Sequence, residues 1–440
     1  MHLSFHAKKC LKIGIPCLGE QSLLILSTTI SAILIGHLGK NELIVSNMTT
    51  TVLNWMQSIF TGFSLALTVI ISRYYNAKEN TQKHYTAGLC LIVGFALLIA
   101  LLAIIFSKPL TRLFYGDSLG NIAGAYFFLN MLALPLTALI QTVSAAARGT
   151  GDSVSGFIST LVLNIVNILL IYCFCYCGDA KGSAYYLTVA GISAVASRIV
   201  AAIVILLCTR KNPVTAKLQC KLPDKENMKN LLLFGLPIAL ENFIFRSALM
   251  MQQQIMIPLG ETIQGGYQIC TRVIDFVTAF TAAFQMTSVI IISAELGKKD
   301  FDNLNVYQKL LCRSTYLFFA LYGICIYFFS PFLVELFTEG GTKLYESGLL
   351  ITKSLSPVVL FLGIYNTYSG ILRGGGDNRF ITYVNNCSTL FGRVLLTYSL
   401  ILTGASGYVA LPLGFGVDFV IKSILCGIRL KKRKWMSIKV

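Results

Sequence analysis

The residues "ILRGGGDNRF" (371–380) interrupt two long apolar runs, and "AAARGTGDSV" (145–154) does the same far upstream. Both contain Arg-Gly-x-Gly-Asp. The first copy supplies Arg148, Gly149, Gly151 and Asp152, and the second supplies Arg373, Gly374, Gly376 and Asp377. A motif repeated in the same setting points to a duplicated unit, so the surrounding chain decides the fold.

That chain has 440 residues, of which 55% are hydrophobic and only 12% charged. Its mean hydropathy is +0.70. A soluble globular chain carries roughly 25% charge, so most of this surface does not face water. Apolar runs of about 20 residues cross a hydrocarbon core of about 30 Å as helices. About twelve such runs are present. They lie near 13–36, 44–71, 85–106, 121–146, 154–177, 184–208, 231–257, 263–293, 309–329, 346–371, 380–402 and 407–428. The runs are continuous rather than alternating, which excludes membrane strands. The first is too long for a cleaved signal peptide, and no small-residue cleavage site follows it.

Lys and Arg number 36 against 19 Asp and Glu, a net charge of +17. With the N-terminus in the cytoplasm, Lys and Arg concentrate in the cytoplasmic segments; the opposite topology inverts that bias. The basic connector (210–229) and the basic tail (429–439) then both lie inside. Topology and anionic inner-leaflet lipid account for the charge, and nucleic acid is not required. The expectation is a multi-pass protein of the cytoplasmic membrane with both termini cytoplasmic. The 13 cysteines are scattered, and "YCFCYC" (172–177) reads as small hydrophobes filling space, not as a metal site.

The duplication extends beyond the motif. "GIPCLGE" (14–20) aligns with "GLPIALE" (235–241), and "SKPLTRLF" (107–114) with "SPFLVELF" (330–337). The predicted fold class is all-α integral membrane. Twelve transmembrane helices form two parallel six-helix lobes, related by a pseudo-two-fold axis along the membrane normal. The N-terminal lobe covers 1–208, the cytoplasmic connector 209–230 and the C-terminal lobe 231–440.

Each Arg-Gly-x-Gly-Asp then joins the fourth and fifth helices of its half. Arg148 and Arg373 fall at a helix C-terminus, where carbonyls are unpaired and the dipole is negative. The glycines permit a left-handed reversal, and Asp152 and Asp377 are placed to cap the next helix. A tight helix hairpin follows. A phosphate loop does not, because no strand precedes the motif and no Lys-Ser/Thr follows it.

The turn after the fourth and tenth helices, with a Gly-x-Pro opening to the first and seventh, resembles the multidrug and toxic compound extrusion (MATE) family. "NIVNILLIY" (164–172), "SRIVAAIVIL" (197–206) and "GRVLLTYSLIL" (392–402) are similar to that family's fifth, sixth and eleventh helices, and "GLPIALENFIF" (235–245) to a branch with Leu-Glu-Asn in the seventh. The resemblance covers nearly the whole chain. It implies two lobes around a V-shaped cavity and cation-coupled export of organic compounds. Many members carry an Asp in the first helix, where this chain has Ser31, and sodium-coupled relatives carry one in the tenth, where the place near Leu362 is apolar. The usual cation ligands therefore do not transfer, and the coupling ion, H+ or Na+, stays open.

Ionisable residues inside spans are costly and mark functional sites by default. Glu20 and Glu241 occupy matching places, four residues after Pro16 and Pro237. A carboxyl among hydrocarbon is hard to ionise, so its protonation can follow conformation. Alternatively, a helix N-terminus or interfacial water holds it. Arg272 and Asp275 share a face of the eighth helix, either as a cation site or as an ion pair locking helices. Arg246, in the seventh, either neutralises Glu241 or Asp275 or favours an anionic or zwitterionic substrate. Gln57, Asn164, Asn167, Gln252 and Tyr267 are the remaining cavity candidates, by polarity or by aromatic stacking.

The expectation is a monomeric secondary antiporter whose partners are small organic substrates and the lipid bilayer. It uses no cofactor beyond the coupling ion, and no ATP site is visible. A flippase for lipid-linked saccharides is the alternative. An enzyme is not expected: His2, His6, His37 and His84 lie near ends or loops, and none pairs with an acid or Cys within the bilayer.

Overall fold

The computed structural model describes residues 5–36, 40–176, 182–216 and 224–438. His2, His37 and Cys177 lie outside them. All elements among the described residues are helical. In the first half they are α1 (Phe5–Gly36), α2 (Lys40–Asn76), α3 (Gln82–Ile105), α4 (Ser107–Leu132), α5 (Leu134–Gly149), α6 (Val154–Tyr176) and α7 (Ser183–Cys208). In the second half they are α8 (Lys225–Met256), α9 (Glu261–Lys298), α10 (Phe301–Glu335), α11 (Lys343–Leu355), α12 (Val358–Gly374), α13 (Asn378–Cys387), α14 (Leu396–Leu402) and α15 (Gly407–Lys431). A π-helical stretch, Ser388–Leu395, runs without a break from α13 into α14.

Among the described residues, ten helices are long and apolar enough to cross a membrane, and the pair α11 and α12, bent by 51°, makes an eleventh if it is one span. The continuous run α13–π–α14 covers the apolar segment near 380–402. The outward faces agree with a lipid environment. Leu97, Leu98, Leu101 and Leu102 on α3, and Leu317, Leu321, Ile324 and Phe328 on α10, are exposed large apolar side chains, a distribution that water disfavours and lipid permits.

The chain divides into two compact units. One is Gly19–Ala239; the other is Met1–Leu18 with Leu240–Val440. The division falls inside α1 and inside α8, rather than in the connector. The first turns of α1 belong with the second unit because Ile13 and Cys17 pack with Ile290, Ile291 and Tyr307. Lys9 there pairs with Glu295 at 2.7 Å, and His6 bonds Asn303 at 2.9 Å.

Each unit has the same internal packing. In the first, α5 lies against α2 and α3, and α6 against α7; in the second, α12 lies against α9 and α10, and the π stretch against α15. This is the structural form of the sequence repeat. Asp300 caps α10 by accepting from the Asn303 N–H at 3.0 Å. That bond and the Asn303 amide hold its carboxyl below the ordinary value.

Small residues set the helix spacing, as membrane packing favours. A Cβ on Gly370 of α12 would stand 2.5 Å from the Gln285 carbonyl of α9 and 3.0 Å from its Cα. That is backbone, which cannot rotate away. Gly370→Ala is expected to destabilise the protein by about 1–3 kcal/mol, the usual cost of overpacking, read as a lower melting temperature in detergent. Gly94→Ala on α3, with nothing within 4 Å, is the matched control and leaves the melting temperature unchanged or raised.

Candidate functional site

Both Arg-Gly-x-Gly-Asp motifs fold into the same helix-ending turn. The Asp152 N–H bonds the Ala147 carbonyl at 3.0 Å and the Gly151 N–H bonds that of Arg148 at 2.9 Å. Asp377 to Leu372, at 2.9 Å, and Gly376 to Arg373, at 2.8 Å, repeat the pair. This six-to-one, five-to-two pattern needs a left-handed residue, and Gly151 (φ 91°) and Gly376 (φ 89°) supply it. Gly149 and Gly374 serve differently: they are helical and sit tight against Ile71 and against Ile292 with the Val289 carbonyl.

Both arginines lie in the last turn of their helices, as expected, and from there their guanidinium groups reach buried acids. Arg148 Nη1 donates to Glu20 at 3.0 Å and 3.1 Å. Arg373 Nη2 donates to Glu241 Oε1 at 2.7 Å, and the Thr382 hydroxyl donates to the other oxygen at 3.4 Å. All four charged groups are buried. Glu20 and Glu241 lie well inside α1 and α8 and are held by arginine, not by a helix N-terminus, and the ion pair of Glu241 is with Arg373 and not with Arg246. Gly156 leaves room for the Glu20 carboxylate, which would stand 3.4 Å from an added Cβ.

The two aspartates of the motifs diverge. Asp152 caps α6, accepting from the N–H groups of Ser155 at 3.1 Å and Val154 at 3.2 Å. Asp377 makes no side-chain cap; it accepts from Arg429 Nε at 2.6 Å instead. The basic tail thus folds back, and Trp435 is fully buried against Gly375.

Asp275 behaves differently from both glutamates. It stands 3.8 Å from Arg272, with side chains 49% and 59% exposed, and Arg246 also acts on it electrostatically. Its two cationic neighbours are Arg272, three residues away on the same helix, and Arg246 on α8. Among the cavity candidates, Gln57 is half-buried, Asn164 donates to the Leu23 carbonyl at 3.0 Å, and Asn167 to the Ser31 hydroxyl at 3.4 Å. Gln252 and Tyr267 are buried, and both accept from Arg393, at 2.8 Å and 3.2 Å.

Arg393 escaped the sequence reading, as did Asp418 and Lys422. The signal was present: three ionisable groups inside apolar runs, with Asp418 and Lys422 four apart and hence on one helix face. Lys422 Nζ lies 2.8 Å from Asp418 Oδ1 and 3.0 Å from Oδ2. Among the described residues, no group of three or more His, Cys, Asp or Glu is placed to hold a metal ion.

The MatE family model matches residues 16–173 and 237–398, one copy per half. The chain belongs to the MatE family. A probable multidrug resistance protein NorM of Thermotoga maritima is 23% identical over 97% of this chain and 93% of its own. A Vibrio cholerae MATE transporter has the same fold, with a TM-score of 0.88, 17% identity and coverage of 98% and 99%. A Pyrococcus furiosus transporter of the MOP superfamily, described by a binding pocket of reverse polarity, follows at 0.84, 16% identity and 96% of each chain. MatE chains are multidrug efflux transporters of the membrane, and the two match segments coincide with the internal repeat.

Removing one partner of a buried ion pair strands the other, at about 3–5 kcal/mol. Glu241→Gln is expected to lower the melting temperature in detergent accordingly. Glu241→Gln with Arg373→Gln recovers most of the loss, and a double-mutant cycle reads the coupling.

Proposed function

We propose that this MatE chain is a secondary active antiporter of the cytoplasmic membrane with both termini inside. It exports amphipathic organic compounds, cations foremost, in exchange for protons or sodium by alternating access. The observation that carries the reading is the contrast among the candidate acids. Glu20 and Glu241 are neutralised in place by arginine, whereas the Asp275 side chain is open. An open carboxylate on a membrane helix can exchange a proton or a cation with solution. Asp275 is therefore the residue for ion coupling or substrate charge, and the two glutamates hold the helices.

A second reading, an anionic, zwitterionic or lipid-linked saccharide substrate, draws on the two arginines. Arg246 and Arg272 are both exposed near Asp275 and give that face a surplus of positive charge.

Purified protein in liposomes loaded with a fluorescent organic cation separates the readings. Under an imposed proton or sodium gradient the wild type is expected to transport the dye. Asp275→Asn slows the flux at least tenfold at unchanged melting temperature. Folded wild type that moves no cation under either gradient, but scrambles a lipid-linked saccharide, would sink the antiporter reading in favour of the second.

A further inference from the structure

The second unit contains a charge buried more deeply than any the transport reading uses. Lys422 and Asp418 are both wholly inaccessible. An ammonium at that depth persists only when its three N–H donors are accounted for. One meets the Asp418 carboxylate, at 3.0 Å from Oδ2. Another meets the Thr389 hydroxyl at 2.8 Å. Around the remaining side stand three aromatic rings: Phe419 at 4.9 Å, Tyr365 at 5.4 Å and Phe245 at 5.6 Å from Nζ to centroid. Aromatic faces within about 6 Å attract a cation through the ring quadrupole. A carboxylate, a hydroxyl and three rings are the parts of a primary-ammonium site.

The surrounding helices are shaped to assemble it. Phe245 comes from α8, Tyr365 from α12, Thr389 from the π stretch, and Asp418 and Phe419 from α15. Gly392 lets the π stretch approach α15 closely: an added Cβ would lie 3.3 Å from the Asp418 Cα. The Ser388 hydroxyl donates to the Asp418 carbonyl at 2.8 Å and ties the two elements together. Glu241 and Arg393 are the next charges that act on the ammonium.

We propose that Asp418, Thr389, Phe245, Tyr365 and Phe419 form a primary-ammonium binding site that the protein fills with its own Lys422. The lysine is a tethered cation. It satisfies Asp418 permanently and keeps sodium, which lacks the N–H donors and gains less from aromatic faces than from oxygen ligands, out of this position. The binding statement rests on geometry alone. Its consequence, that sodium exchange does not use this site, rests on the antiporter reading.

The test is chemical replacement of the side chain. Lys422→Ala removes the atoms of an n-propylammonium ion, so that ion is the matched probe. Full-length wild type, Lys422→Ala, and Lys422→Ala with Asp418→Asn are purified in detergent and melted against n-propylammonium chloride. N-methyl-D-glucamine chloride at equal ionic strength is the control, and sodium chloride is run in parallel. Lys422→Ala is expected to melt below wild type and to regain stability saturably with n-propylammonium, at least tenfold more potently than with sodium. Wild type and the double variant are expected to show no shift beyond the control salt. A folded Lys422→Ala that ignores n-propylammonium, or responds equally to sodium, overturns the proposal. So does a saturable sodium response in wild type that Asp418→Asn abolishes. If Lys422→Ala does not survive extraction, n-propylammonium in the extraction buffer is expected to restore monodisperse protein, and failure to do so counts against the site. None of these outcomes depends on transport, so the antiporter reading stands or falls separately.

Discussion

The structure depends on a carboxylate and a guanidinium that have both left water. In each unit a glutamate two residues past the unit's boundary meets the arginine of the Arg-Gly-x-Gly-Asp turn. Either charge alone at that depth costs several kcal/mol, and together they cost far less. The pair therefore fixes where the fourth span can end. The left-handed glycine that follows closes the Schellman turn with the arginine pointing back into the unit. The repeated motif is thus a device for delivering a cation to a buried acid, and the hairpin is how the chain accomplishes it.

Duplication has left the two units with different electrostatics. In the first, neutral amides and hydroxyls tie helices together, such as Asn164 to the Leu23 carbonyl and Ser159 to that of Ala201, and Arg198 donates to the Thr137 hydroxyl at 2.9 Å. In the second, Arg393, Asp418 and Lys422 bury three further charges between α8, the π stretch and α15. The π stretch coincides with this cluster. Interrupted helices recur at functional positions because they redirect side chains that a regular helix would align. Here it carries Thr389 to the ammonium and Arg393 to Gln252 and Tyr267.

Composition and periodicity determined the class of protein. Apolar runs longer than any soluble core requires, a low charge content and a repeat of Gly-x-Pro and Arg-Gly-x-Gly-Asp dictate paired sets of spanning helices, because backbone polar groups in lipid must be satisfied within each segment. The ionisable residues inside those runs were equally legible as exceptions, Glu20 and Glu241 among them. Their roles were not. What seals Glu20 or Glu241 is an arginine more than a hundred positions away. No local pattern records that distance. Tertiary packing alone decided that Arg148 and Arg373 turn inward, that Asp377 gives up its cap for Arg429, that Trp435 is buried beneath a basic tail, and that Lys422, already on one helix face with Asp418 and Phe419, also meets the Thr389 hydroxyl and the rings of Phe245 and Tyr365. The physical reason is common to all of them: a charge's environment is set by what surrounds it in three dimensions, and a sequence orders neighbours along only one.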